Sequence, residues 1–133
     1  MLADTAGSHA AVAADWDTCW ADGRPVTDLA QWEALASAER IRRVQGAFAV
    51  AWLAPDGTLG LARDPIGERT LFYAALPGGG ITFASTLQAL IATGTVGRTL
   101  NLTAVASYLT YGYVPGADTL VAGIHEVLPG EIV

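Results

Sequence analysis

Residues 46–74 read GAFAVAWLAPDGTLGLARDPIGERTLFYA, and the fold is decided here. Between 47 and 53 bulky and small residues alternate: Phe48, Val50 and Trp52 on one face, Ala47, Ala49 and Ala51 on the other. A period of two predicts a strand. Both faces are apolar, so the strand belongs inside a sheet covered on both sides. Pro55-Asp56-Gly57 is turn chemistry, with Pro presetting φ and Gly accepting a positive φ. A second strand is predicted over 58–62, a third over 71–75, and a fourth over 81–84 after the flexible glycines 78–80.

Between the second and third strands lies a charged knot, Arg63-Asp64-Pro65-Ile66-Gly67-Glu68-Arg69. Asp64 has two options. It can pair with Arg63, or it can accept hydrogen bonds from the amides of Ile66 and Gly67 in an Asx-type turn. Pro65 fixes one φ, which makes the turn rigid. No proton shuttle is present in the knot, so Arg63, Asp64 and Gly67 read as a structural joint before they read as catalysts.

Upstream, residues 1–7 are small and polar and are expected to be disordered. Residues 8–21 place Val12, Trp16, Cys19 and Trp20 on one helical stripe behind a Ser8 N-cap, and Gly23 and Pro25 end it. Asp28 caps a predicted helix through Leu29, Trp32, Leu35, Ala36, Ile41 and Val44, with Arg40, Arg42 and Arg43 near its end and Gly46 stopping it. Downstream, Ser85 caps a helix over 87–92, ended by Gly94 and Gly97, and Asn101 caps another over 102–109. The remaining tail is turn-rich with isolated apolar anchors. No repeat or low-complexity segment occurs. Helix, four strands and further helices predict an α+β fold, a sheet between helix layers.

Composition narrows the function. A chain of 133 residues is one domain or a piece of one. Apolar residues make up 52% and charged residues 15%, so either the core is large or apolar surface meets a partner. A net charge of −6 without any lysine argues against nucleic-acid binding. The single cysteine permits no internal disulfide, which suits a reducing compartment. No apolar run reaches the roughly 18 residues of a membrane span, and no signal peptide is evident. A cytoplasmic location is expected.

Few residues could carry chemistry. Cys19 sits among Asp17, Thr18, Trp20 and Asp22, and carboxylates raise a thiol pKa. A buried or interface cysteine is therefore favoured over a nucleophile. His9 and His125 have no second ligand at metal-site spacing. Thr5, Ser8 and Ser85 lie in no nucleophile-elbow motif. The triple glycine 78–80 lacks a following Lys-Ser/Thr and opens no helix, so it is no phosphate loop. Catalytic and metal-ligating residues are both expected to be none.

The stretches 46–74, ITFASTLQAL (81–90) and LNLTAVASYLTYGYVPGADTLVAGIHEVLPGE (100–131) together resemble the asparagine synthetase family. The likeness is to the end of its glutaminase domain and the linker toward its synthetase domain, from Gly46 onward. Tyr111-Gly112-Tyr113-Val114-Pro115-Gly116 would be the synthetase-facing linker. The resemblance implies a partial αββα sandwich of the N-terminal-nucleophile hydrolase type, mostly antiparallel, with flanking helices. It divides the chain into an unassigned segment 1–25, an amidotransferase-like part 26–98, and a helix and linker 99–133.

In that family an N-terminal cysteine attacks glutamine with its own α-amine as base. An Asn-Gly pair stabilises the oxyanion, and an Arg, a Glu and an Asp hold the substrate. Here the sequence opens Met1-Leu2, no Asn-Gly-Glu occurs, and Cys19 carries a chain amide. Asp28 roughly occupies the place of the family's substrate-holding Asp and is a weak substrate-binding candidate. Thr70 stands where the family has Pro, and Thr86 and Gln88 where it has Glu and Lys. The Ser-Gly-Gly-x-Asp-Ser pyrophosphate loop of the synthetase half is absent.

The expectation is a degenerate amidotransferase-like domain that acts as a scaffold for an ATP-dependent amide-forming synthetase. Asparagine synthetase, β-lactam synthetase and lasso-peptide cyclase are the types of synthetase in view. No cofactor is expected in this chain, with ATP and Mg²⁺ confined to the synthetase domain or subunit. A homodimer stays open. So do two alternatives: a fragment of an active enzyme whose catalytic half lies elsewhere, and a small-ligand binding module.

Overall fold

A strand, not a helix, occupies the region before Gly23. The computed structural model describes residues 11–133, so the expectations for 1–7, Ser8 and His9 lie outside the described residues. The chain divides into two units, one ending at Arg69 and taking back Pro129–Val133, the other Thr70–Leu128. Among the described residues no helix is long and apolar enough to cross a membrane.

The first unit holds β1 (Ala11–Ala21), β2 (Arg24–Val26), α1 (Leu29–Ala34), α2 (Ala38–Ile41), β3 (Val44–Leu53) and β4 (Leu59–Arg63). Its antiparallel sheet runs β2-β1-β3-β4. The helical stripe expected over 8–21 has a physical explanation. Val12, Ala14 and Trp16 alternate toward the core, then one extra residue enters β1 between Trp16 and Cys19, after which Cys19 and Ala21 resume the inward face. A β-bulge shifts a period of two by one residue. The result imitates the i, i+4, i+7 spacing of a helix. Asp22 and Gly23, with φ of 48° and 75°, join Ala21 to Arg24 in a two-residue hairpin. Two positive φ values are the mark of a type I′ turn, and Asp-Gly is a preferred pair for it.

The long helix expected from Asp28 is two short ones. Asp28 caps α1 in a capping box with Gln31, and Ser37 starts α2 by accepting from the Arg40 amide at 3.4 Å. One apolar stripe survives the break because Trp32 and Ile41 both bury in the same core. Val44 already belongs to β3, facing Ala21. Gly46 lies within that strand rather than ending a helix. Its φ is +114°, and a Cβ there would stand 2.1 Å from the Thr18 carbonyl oxygen. Glycine is needed where the bulge presses on β3.

β3 is the centre of the sheet, and residues 47–52 are all buried, as the two-faced apolar pattern requires. Trp32 packs between Trp16 and Phe48 with its ring tilted to both, the centroids 5.9 Å and 5.5 Å away. The Trp52 ring crosses Gly60 on β4, where any side chain would collide with it. The free side of β4 is covered by the chain's last residues: Leu61 exchanges two 2.8 Å hydrogen bonds with Val133, and the Arg63 amide donates to Glu131 at 3.2 Å.

The second unit holds β5 (Phe72–Ala75), β6 (Ile81–Ala84), α3 (Leu87–Ala92), α4 (Leu102–Tyr111) and β7 (His125–Glu126), with an antiparallel sheet β6-β5-β7. Thr86, not Ser85, caps α3, accepting from the Ala89 amide at 3.1 Å. Asn101 caps α4, which ends two residues later than expected at Gly112, φ 80°. The tail is more than isolated anchors: His125–Glu126 pairs with β5, and the buried Thr119 hydroxyl bonds the Val121 and Ile124 carbonyls. Leu90, Ala74 and Ile124 form the core of this unit.

Replacing Gly46 by Ala sets a Cβ against backbone at a positive φ. We expect a loss of about 3 kcal/mol in unfolding free energy. Urea denaturation measures it, and an unchanged midpoint would contradict the bulge geometry.

Candidate functional site

Of the two arrangements open to Asp64, the amide-accepting one is formed. Oδ1 accepts from the amides of Ile66, Gly67 and Glu68 at 3.0, 2.6 and 3.1 Å, and Oδ2 accepts from Arg69 at 3.1 Å. Four consecutive amides thus converge on one carboxylate that is 1% exposed. The Asp64 amide donates to Phe48 at 2.9 Å, and its carbonyl accepts from Gly67 and Gly130. The backbone here is tied to the central strand and to the C-terminal residues. A Cβ on Gly67, whose φ is +77°, would stand 2.8 Å from Pro129 Cγ, so this turn closes only without a side chain.

Arg63 completes the knot from inside. Its guanidinium donates to the carbonyls of Arg69 and Gly67. Amides face the carboxylate and carbonyls face the cation, so each charge is met by backbone dipoles. Burial pushes the Asp64 carboxyl up, but the amides of Arg69, Glu68, Gly67 and Ile66 together hold it below its ordinary range.

The knot also fixes where Arg69 points. Its side chain reaches β1, with Nε 4.0 Å from Asp15 and a terminal nitrogen 3.6 Å from Asp17. Those two carboxylates project from the exposed face beside the bulge. Nothing in the sequence brings Arg69 together with Asp15 and Asp17, because the bulge in β1 imitates a helical stripe.

Cys19 is buried within the same unit. Its thiol donates to the Ala47 carbonyl at 3.3 Å. Burial raises its pKa first, and the charges of Asp64 and Asp17 raise it further against smaller opposing effects from the Asp17 backbone hydrogen bond and from Arg69. The influence of Asp64, distant in sequence, comes only from the fold.

The other candidates lie apart. Asp28 is exposed, and its carboxylate is engaged by the Gln31 amide at 2.9 Å, while the Gln31 side chain accepts from the Thr27 amide at 2.6 Å. His125 stands 3.5 Å from an Asp118 oxygen, and its ring packs tilted against Tyr73. Among the described residues no group of His, Cys, Asp and Glu could hold a metal ion. The segment Tyr111-Gly112-Tyr113-Val114-Pro115-Gly116 starts at the last residue of α4, with both tyrosines largely exposed and Gly112 and Gly116 at positive φ. The Tyr111 and Tyr113 rings lie 6.3 Å apart.

Residues 28–133 match the family described as the glutamine amidotransferase domain, of class II. The match covers most of the chain, which therefore belongs to this family. Membership implies the N-terminal-nucleophile hydrolase fold, in keeping with the mixed α+β architecture and antiparallel sheets. No curated protein matches the chain.

Asp64→Asn keeps the shape of the side chain but turns a donor toward the Arg69 amide. We expect a loss of about 2–4 kcal/mol at neutral pH. The folded pKa of Asp64 is depressed, so its stabilisation is complete above the unfolded value of about 3.9 and fades as pH falls through the folded value. The gap between wild type and variant in denaturation experiments should therefore narrow below about pH 4. A constant gap down to the most acid pH at which both still fold would contradict it.

Proposed function

We propose that this glutamine amidotransferase domain is of the asparagine-synthetase type, performs no glutamine hydrolysis of its own, and serves as a docking scaffold. Its partner is an ATP-dependent synthetase that forms an amide, joined in cis or in trans. ATP and Mg²⁺ act in that partner.

The observation that carries the first half is the state of Cys19, the only thiol in the sequence. A cysteine nucleophile works as thiolate, and a free one is only a few per cent thiolate at pH 7. Cys19 is 2% exposed, donates its proton to a backbone carbonyl, and has two carboxylates holding its pKa up. Its nitrogen is a chain amide, so the free-amine base of the family's mechanism is not available to it. The two buried charges of the knot are likewise engaged: Asp64 by four amides and Arg63 by two carbonyls.

The second half is supported by α4. Its sequence, LTAVASYLTY, holds no charge, yet only Ala104 in it is buried. Leu102, Tyr108, Leu109 and Tyr111 are exposed, as is Tyr113 just beyond. A helix that is apolar around most of its circumference is ordinarily covered. A synthetase surface would supply the cover, and the exposed Tyr111 to Gly116 segment continues from it.

The purified chain incubated with glutamine should release glutamate no faster than buffer or than a Cys19→Ala variant. Cys19-dependent release would overturn the non-hydrolysing reading. For docking, Leu109→Asp should leave the melting temperature unchanged. It should weaken a complex with an asparagine-synthetase-type synthetase at least about tenfold, since burying one leucine contributes about 1.5–3 kcal/mol. Undiminished binding would place the partner elsewhere.

A further inference from the structure

The two long edges of the first unit's sheet are treated differently. The β4 edge is covered: Leu61 pairs with Val133, Ala62 bridges to Ile132 and the Arg63 amide reaches Glu131. Among the described residues the β1 edge is covered only at its end, where β2 pairs with Cys19, Trp20 and Ala21. Over residues 11–16 β1 bonds β3 on its inner side, and among the described residues nothing pairs with the outer side.

An open edge of this length is normally blunted by lysine, proline, inward charge or a covering element. Residues 11–16, AVAADW, contain neither lysine nor proline. The bulge begins only after Trp16. The one charge, Asp15, points to the exposed face, where Arg69 lies 4.0 Å away. On the other face Val12, Ala14 and Trp16 pack on the core but stay half-buried, so a further strand would complete their burial.

We propose that residues 11–16 form an isologous dimer interface, β1 pairing antiparallel with β1 of a second copy. The two-fold axis is perpendicular to the sheet and passes at Ala14. This symmetry keeps the apolar faces of both sheets on the same side. Val12 then stands opposite Trp16 of the second copy, an aromatic and β-branched pair of the kind that stabilises neighbouring strands. On the outer face Ala13 stands opposite Asp15 of the second copy, so no like charges stand directly opposite each other.

Other registers fare worse. Slipping by one residue along the strand reverses the faces. Centring on Asp15 sets two carboxylates directly opposite each other and drives the bulge into the pairing. Centring on Ala13 leaves Trp16 without its valine. The sequence of this edge is thus self-complementary in one register, which singles out a second copy over an unrelated strand.

Ala13 is exposed and lies away from the core, so its substitution tests the interface without disturbing the fold. Ala13→Asp would set a carboxylate against Asp15 of the second copy, twice per dimer. Ala13→Lys would set an ammonium there. Sedimentation equilibrium of the full chain should show a monomer–dimer equilibrium. The Asp variant should weaken it at least about tenfold, and the Lys variant should hold or tighten it. Both should melt like wild type when dilute. Hydrogen exchange at amides 11–16 should slow as concentration rises. A monomer at every concentration, a dimer indifferent to both charges, or an edge that pairs only with a different protein would each overturn the proposal.

Discussion

A buried carboxylate must be solvated by something, and Asp64 is solvated by the backbone of its own turn. Four amides from Ile66 to Arg69 point at it, and the Arg63 guanidinium takes carbonyls that the same turn would otherwise leave bare. An unpaired charge at this depth would cost several kcal/mol. The turn therefore cannot relax while the first unit stays folded. Its rigidity fixes the exit from β4, the direction of the Arg69 side chain, and the seat of the last residues beside the sheet edge. Pro65 and Gly67 are what allow the chain to bend this way: one has its φ set in advance, the other supplies a positive φ where Pro129 leaves no room for a side chain.

How much of this the sequence discloses follows from which forces act locally. The alternation of Phe48, Val50 and Trp52 with three alanines announces β3 because a central strand has to satisfy two faces at once. Asp28 and Asn101 announce their helices because capping is a contact over three residues. The Asx-type option for Asp64 is visible for the same reason. The strand over Ala11–Ala21 is not, since its bulge converts an alternating pattern into a helical one, and only the pairing with β3 decides between them. The local clue to the strand is Asp22-Gly23, a preferred hairpin dipeptide, where Gly23 and Pro25 taken alone mark only the end of a helix. The break between α1 and α2 is hidden because both pieces bury the same stripe. The approach of Asp64 to Cys19, and of Arg69 to Asp15 and Asp17, depends on register across strands and has no local trace.

The site is legible as chemistry of restraint. In a class II amidotransferase domain, charges around a turn invite a catalytic reading. Here Asp64 and Arg63 are engaged by backbone and Arg69 faces Asp15 and Asp17, while the single thiol is held in its protonated form by burial and by the carboxylates around it. Among the described residues two surfaces are left uncovered: the apolar face of α4 and the unpaired backbone edge of β1. These features are consistent with a domain whose work is done through its surfaces, with the knot holding the first unit's sheet in shape.

Amide hydrogen exchange at Ile66, Gly67, Glu68 and Arg69 tests that view most directly. If the knot is a fixed joint, these four amides exchange as slowly as those of β3, only through global unfolding, and glutamine leaves their rates unchanged. Rapid exchange by local opening, or protection that appears only when glutamine is added, would contradict it and return the knot to the role of a working substrate loop.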